Sequence, residues 1–426
     1  MFTNIDRRDF LTLMGGLTLS GCIAQPPSPQ PPSDSWIPDE ATESQIRDAM
    51  KKHRVPGVGM AIVADGALVW EGSYGLANMD TGQPIQRNTL FQAASLTKPL
   101  FAYVVLRLVD AGQIDLDEKL IETHRPEDLG SSPWCGMITV RHVLTHQTGL
   151  PNWRSTEEES IPLEPAFEPG TGYTYSGEAF HWLQQVCELK TDLGLHELVN
   201  RYLLTPAKLT DMAMLWLPER DEREVYGHIV DDEDDTAKLS SLQFAREHGW
   251  RLNEVAEKWG VPMTQWQSKD QRAAHAEMRP YDHPRLKSRP LWHKNRPGSA
   301  LIDSASSLRT TPGDYARFLT LLMKPVDLAD GGLSKTLRDQ MLSIQTDVSE
   351  PGPKRPVGYS WALELVEGGV AFDHWGFNQR QYISMGLGDT SNQKGIVIMT
   401  NGARGNRFMD EIGPIITGIP YHSFVI

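Results

Sequence analysis

The sequence predicts an α/β protein: an antiparallel β-sheet flanked by helices, together with a mainly helical subdomain. Three observations lead there. Near the start, "VGMAIVADGALVWEGSYGLAN", from Val58, places two β-rich runs around Ala64-Asp65-Gly66, and Asp-Gly between such runs is a strong hairpin signal. Near the end, four further strand-like runs follow one another, over 357–366, 369–374, 380–386 and 394–401. Between the two sets the pattern is mainly helical. Strands from both ends of the chain must therefore meet in one sheet.

Taken in order, residues 1–21 read as an export leader. Paired Arg7 and Arg8, then Asp9, Phe10 and Leu11, precede an apolar run too short to span a bilayer, a pattern that resembles a twin-arginine signal. "LSGC", ending at Cys22, resembles a bacterial lipobox, which implies cleavage before Cys22 and acylation of its thiol. Ile23 in place of an aspartate then favours the outer membrane, so the expected location is the periplasm-facing cell envelope. The alternative is an ordinary secretory leader with an incidental cysteine. Residues 22–36 are Pro- and Ser-rich and form a tether; the globular domain is expected over 37–420.

A helix over 44–53 precedes the hairpin. "PLFAYVVLRLVDAG" is apolar nearly all round, which marks a buried central helix, and Gly112 suits its C-terminal stop. Residues 100–217 read as mainly helical, including "TVRHVLTHQTGL" and 178–189. Residues 218–297 read as an insertion: "DDEDD" at 231–235, a helical-looking stretch over 236–259, then a loop rich in His, Arg and Pro. It would form either a lid or rim, or a solvated excursion. Thr311 and Pro312 are placed to cap a helix running to Met323, and a last helix is expected over 406–416.

Composition narrows the function. Of 426 residues, 39% are hydrophobic and 23% charged, which is ordinary for a soluble globular protein. The net charge of −14 argues against nucleic acid as a partner. Removing residues 1–21 deletes two arginines and two aspartates and leaves that charge unchanged. Cys135 and Cys187 form a disulfide, as an oxidising compartment permits, or stay as two buried free thiols. The chain has no His-Glu-x-x-His motif and no P-loop. His142 and His146 are read as packing or capping residues, and neither a metal nor a cofactor is expected.

The stretch "LFQAASLTKPLFAYVVLRLVDAG" carries the chemistry. Pro99 is tolerated only in a first helical turn, so a helix starts at about Ser95. Residues three apart on a helix share a face, which sets Lys98 beside the Ser95 hydroxyl. The positive end of the helix dipole favours charge developing at Ser95. Apolar surroundings disfavour a charged lysine and make Lys98 a base near neutral pH. The same spacing at Ser391 and Lys394 lies in a polar turn and carries none of these arguments. "GYSWA" at 358–362 is the nearest approach to a Gly-x-Ser-x-Gly elbow, and it falls in an expected strand. Two further segments would complete a site: Tyr175 in "YTYSGEAF", on a turn before a helix, and His374-Trp375-Gly376 in "FDHWGFNQR", on an edge strand whose glycine admits a substrate backbone.

In this order and at these separations, the segments resemble the serine β-lactamase and penicillin-binding protein superfamily, in its class C-like branch of esterases, DD-peptidases and D-aminopeptidases. "WEGSYGLAN", "GQIDLDEKL", "TVRHVLTHQTGL", "FEPGTGYTYS" and "SSLRTTPGDYARFL" share in the likeness, which covers about residues 40 to 420. The resemblance implies a β-lactamase/transpeptidase-like fold. It makes Ser95 the nucleophile of an acyl-enzyme, Lys98 its base or proton relay, and Tyr175 the group that exchanges protons with serine and leaving group. It puts the oxyanion hole at the backbone N–H groups of Ser95 and Phe377, and substrate contacts at His374, Trp375, Gly376, Gly177 and Asn378. Two positions depart from the pattern. Gly177 replaces the asparagine of Tyr-x-Asn, and His374 replaces the lysine of Lys-Thr-Gly, so a fixed positive charge facing a substrate carboxylate is lost. With Trp375 as an apolar wall, the expectation is a serine hydrolase acting on a small-molecule or peptide acyl substrate, an esterase or peptidase rather than a β-lactamase. The alternative is a non-catalytic, lipid-anchored protein of the same fold that binds cell-wall peptides or a protein partner.

Overall fold

The computed structural model describes residues 36–154, 161–231, 233–240, 243–278, 302–346 and 355–424. The expected leader, Cys22, the tether up to residue 35 and the 279–297 part of the expected insertion lie outside the described residues. Trp36, assigned to the tether, is instead buried and meets Tyr421 edge-on, with ring centroids 6.2 Å apart. Among the described residues no helix is long and apolar enough to cross a membrane.

Helix α1, Glu40–His53, starts four residues earlier than 44, because the Asp39 carboxylate accepts the Thr42 N–H at 2.8 Å and caps it. Strands β1 (Gly57–Ala64) and β2 (Ala67–Asn78) follow as a hairpin. Asp65 and Gly66, with φ of 50° and 62°, supply the two left-handed residues of a tight turn whose twist matches the strands. Strands β3 (Gln83–Pro84), β4 (Ala362–Val366), β5 (Gly369–Asn378), β6 (Tyr382–Asp389) and β7 (Lys394–Thr400) complete a seven-stranded sheet in the order β3-β2-β1-β7-β6-β5-β4, antiparallel throughout. Its two ends of the chain meet where β1 pairs with β7.

Both faces of this sheet are covered, so β1 is buried along nearly its whole length rather than alternating. Ala61 and Val63 join the larger core with helix α2 (Thr97–Asp110) and helix α6 (Pro312–Met323). Val58, Met60 and Ile62 point the other way, into a second core with α1 and the closing helix α7 (Gly405–Thr417). Helix α2 is buried over most of its circumference, as its apolar sequence requires, and ends before Gly112 at φ 66°. Helix α3, Gly177–Thr191, packs across it in the helical half.

Several expected boundaries move. The strand over 357–366 shortens to β4, since Gly358 N–H donates to Trp361 O at 2.9 Å and Ser360 takes φ 62°. Residues 358–361 of "GYSWA" are therefore a turn leading into the strand, which begins at Ala362. Strand β5 runs on to Asn378. Within "TVRHVLTHQTGL" only Val140–Leu144 is helical, after which His146 turns the chain with φ 56°. In 236–259 the helix is α4, Phe244–Trp259; residues Ala237–Leu239 instead pair with His228–Val230 as a small hairpin. Helix α4 and helix α5 (Ser268–Glu277) are tied to the body: Trp250 meets Trp216 at 4.8 Å between centroids, Arg246 pairs with Asp221 at 2.5 Å, and Ser268 N–H donates to Glu188 at 2.8 Å. Cys135 and Cys187 are both free and buried.

Trp361 joins the layers. It is fully buried in the turn before β4, its ring 5.0 Å from Phe372 on β5 and 6.5 Å from Phe318 on α6. Among the described residues its indole N–H has no hydrogen-bond partner. Trp361→Ala is therefore expected to destabilise the domain by about 3–5 kcal/mol, and Trp361→Phe by much less, because no hydrogen bond is lost. Urea unfolding of the two variants checks this, and equal losses would contradict it.

Candidate active site

The nucleophile candidate sits on a strained turn. Ala94, just before Ser95, takes φ 51°, a conformation that costs a non-glycine residue roughly 1–2 kcal/mol. Residues Ala94–Leu96 form one 3₁₀ turn and α2 begins at Thr97, two residues later than the sequence indicated. Surrounding groups hold the turn. Ala93 O accepts from Leu96 N–H (3.1 Å) and from the Ser384 hydroxyl of β6 (2.7 Å). The Thr97 hydroxyl donates to Ala94 O (2.5 Å) and accepts Leu308 N–H (3.1 Å), and Tyr315 OH on α6 donates to Leu96 O (3.0 Å).

Lys98 lies in the first turn of α2, and its side chain is 1% exposed by residue. Its Nζ donates to Ser95 Oγ at 3.2 Å and to Ala305 O at 3.0 Å. The same nitrogen lies 4.6 Å from the centroid of the Tyr175 ring and 5.9 Å from that of Phe180. Burial pulls the amine down to about 7, against an opposing pull from the Asp303 carboxylate. Tyr175 comes from the turn that precedes α3, where the Ser176 hydroxyl caps the helix by accepting Ala179 N–H at 3.0 Å. Burial pushes the Tyr175 phenol well above its usual range, with the Ser95 hydroxyl opposing. Its OH lies 3.3 Å from His374 Nε2. Burial, reinforced by the Lys98 and Arg355 charges, holds that imidazole down to about 3, so it is neutral at any working pH. These contacts bring Ser95, Lys98, Tyr175 and His374 together from three remote segments.

The β5 residues divide by face. Successive strand side chains point to opposite sides, so His374 and Gly376 face the Ser95 turn while Trp375 and Phe377 face away. A Cβ on Gly376 would lie 2.3 Å from Ala93 O and 2.4 Å from Ser384 Oγ, so only glycine lets β5 lie this close to the nucleophile turn. Strand β4 pairs with β5 over Gly369–Asp373, and among the described residues the following β5 residues have no strand partner on that side. Phe377 lies on this stretch of β5, its ring half exposed and stacked on Trp375.

Three expected substrate contacts are corrected. Trp375 stacks on Phe377 (5.8 Å, 14°) and donates its indole N–H to Ser423 O at 3.1 Å, on the side of α7, so it lies on the face opposite Ser95. Asn378 is buried, and its amide donates to Gln92 Oε1 and Ser306 O, both at 3.2 Å, as a strut under the site. Gly177 offers nothing to a ligand: its N–H is engaged by Asn152, and a Cβ there would lie 2.3 Å from the Trp153 indole. Trp153 fills the space that a longer side chain at 177 would need. Arg154 anchors that loop through Glu178 at 3.1 Å and through Asp128.

Sequence reasoning missed Trp153 and Asp303, and read His146 only as packing or capping. His142 does cap, accepting Thr139 N–H at 3.3 Å. His146 is buried, accepts Ser176 N–H on Nδ1 at 3.1 Å, and lies against the Tyr175 ring at 4.4 Å between centroids. Strand alternation was the one available signal, since it puts Trp375 on the face opposite His374. Among the described residues no cluster of three or more His, Cys, Asp or Glu is arranged to hold a metal.

Comparison with known proteins gives the family and the fold. The family profile described as Beta-lactamase matches residues 42–417. The chain is 30% identical over 202 residues to Esterase EstB of Burkholderia gladioli, covering 40% of this chain and 50% of that protein. It is 26% identical over 210 residues to Penicillin-binding protein 4* of Bacillus subtilis, covering 44% and 45%. The matched region thus spans about half the length of these relatives. Among solved structures, the octameric penicillin-binding protein homologue from Pyrococcus abyssi superposes with a TM-score of 0.64 at 18% identity, over 88% of this chain and 77% of that one. A class C beta-lactamase gives 0.60 at 15% identity, over 88% and 94%. With a profile match across nearly the whole described chain, the chain belongs to the beta-lactamase family, and those solved structures share its fold.

Proposed function

We propose that the protein is a serine acyl hydrolase that works through an acyl-enzyme on an uncharged ester or amide. The observation that carries the reading is the buried Lys98 amine 3.2 Å from Ser95 Oγ. An amine held near 7 is partly neutral at physiological pH, whereas the phenol of Tyr175, pushed upward, keeps its proton. Lys98 is therefore the group that takes the serine proton as Ser95 Oγ attacks the acyl carbon. The carbonyl oxygen becomes an oxyanion, received by the backbone N–H groups of Ser95 and Phe377. As the tetrahedral adduct collapses, the acyl–leaving-group bond breaks and the Tyr175 hydroxyl passes a proton to the departing atom, recovering one from Lys98. Water then attacks the acyl-enzyme with the same groups in reverse, freeing the acid and restoring Ser95.

Substrate charge follows from His374. A neutral imidazole engaged with Tyr175 gives no fixed cation to a carboxylate such as that of a β-lactam or a D-Ala-terminated peptide. The neighbouring guanidinium, Arg355, is already held by Asp373 through two contacts of 2.6 and 2.8 Å. An ester without a carboxylate loses nothing by this arrangement. The similarity to an esterase of Burkholderia gladioli supports the same reading. We further place the domain in the cell envelope, held by lipid on Cys22.

Three outcomes are expected. Ser95→Ala should lower kcat/KM on p-nitrophenyl acetate by at least about 10³-fold; undiminished hydrolysis would remove the nucleophile. For the wild type, kcat/KM should rise with pH through about 7, as the Lys98 amine loses its proton, with no separate inflection near 6.5 from His374. His374→Lys should raise the rate on a chromogenic cephalosporin relative to p-nitrophenyl acetate by about tenfold, the worth of one charge-assisted hydrogen bond. An unchanged ratio would show that charge at 374 does not select the substrate.

A further inference from the structure

Behind the Lys98 amine lies a carboxylate that the mechanism does not use. Asp303 is fully buried. Its Oδ1 accepts Ala305 N–H at 2.8 Å, and the Ser306 hydroxyl lies 3.2 Å from Oδ1 and 2.9 Å from Oδ2. The segment around it is fixed on every side. Ile302 N–H donates to Gln271 (3.1 Å), Ser304 N–H to Gln184 (2.9 Å), the Ser304 hydroxyl to Phe180 O (2.8 Å) and the Ser307 hydroxyl to Met214 O (2.5 Å). Yet among the described residues no Lys, Arg or His makes an ion pair with Asp303. An ionised carboxylate buried without a partner is strongly disfavoured, and proteins rarely keep one unless another charge answers it.

The answering charge is one residue away through the backbone. Asp303 holds the N–H of Ala305, and the C=O of the same residue receives the Lys98 amine at 3.0 Å. We propose that Asp303 is a positioning residue for Lys98: its carboxylate holds Ala305 against the amine and supplies the negative charge that sets the pH at which Lys98 becomes a base. This rests on the reading of Lys98 as the acceptor of the Ser95 proton.

The other titratable groups facing the amine are Tyr175, His374 and His146. The first keeps its proton, and both imidazoles are held neutral by burial. Asp303 is therefore the anion that opposes the burial of Lys98, and burial in turn pushes Asp303 up to about 6. Ser95→Ala would not disturb this pair; losing the carboxylate charge would.

The test is the pH profile of p-nitrophenyl acetate hydrolysis by the full-length protein carrying Asp303→Asn. Asparagine keeps the shape and can still accept Ala305 N–H, so a purely structural role leaves the profile in place. The charge role moves the acid limb of kcat/KM to lower pH by about one unit, because a lysine without its anion releases its proton more readily. It also lowers the plateau a few-fold, since the amine becomes a weaker base. An acid limb within about 0.2 units of wild type overturns the proposal. Should Asp303→Asn fail to fold, Ser306→Ala serves instead: without that hydroxyl the carboxylate binds its proton more tightly, and the limb is expected to move the same way by a few tenths of a unit. A fluorophosphonate labelling arm separates the two readings. If Ser95 of the wild type labels and neither variant moves the limb, Asp303 alone is misassigned. If wild type and Ser95→Ala label equally, the nucleophile reading fails and this proposal with it.

Discussion

Burying one amine is the constraint on which the rest of this structure depends. Lys98 stays useful as a base only while water is kept from it, and keeping water from it takes most of the fold. Helix α2 must run through the middle of the larger core, apolar on nearly every side, so that its first turn opens inside the protein rather than on its surface. Tyr175 and Phe180 close over the amine from α3, and the 302–308 segment closes from beneath. The lysine at the same spacing from Ser391, Lys394, opens β7 and lies over the Trp36 ring at 5.9 Å, away from any such enclosure.

The second demand is that the nucleophile face outward from this dry interior. The left-handed Ala94 precedes it, and Ser95 stays partly exposed while Lys98, three residues on, is buried. Such a turn persists only where its surroundings over-determine it. The hydrogen bonds from Ser384, Tyr315 and Thr97 do so from β6, α6 and α2. The closeness of Gly376 to Ala93 O adds the edge of β5. Sheet and helical half are thus joined at the turn that carries the reacting hydroxyl, which explains why strands from both ends of the chain are needed to build one small site.

How legible this was varies with the range of the interaction. Local rules reached the Asp65-Gly66 hairpin, the central helix and its stop at Gly112, and the shared face of Ser95 and Lys98, because each is decided within a few residues. The start of α1 falls four residues before the expected 44 because the Asp39 carboxylate caps it. Trp375 was set on the wrong side of β5, although strand alternation opposite His374 was there to be read. Trp153, which occupies the space above Gly177, and Asp303, reached through the Ala305 backbone, gave no local signal. Both come to the site only through tertiary folding, from segments whose own sequence is unremarkable. His146 lies between these cases: its packing role was foreseen, but not that Tyr175 is what it packs against.

The most direct test of the central claim is the titration of Lys98 itself. With ¹³C-labelled lysine in the full-length protein, one side-chain resonance, absent from Lys98→Met, is expected to titrate with a midpoint close to 7, well separated from the remaining lysines. A Lys98 signal that stays protonated until pH rises above about 9, together with the other lysines, would contradict the account, whatever esters the protein proves to cleave.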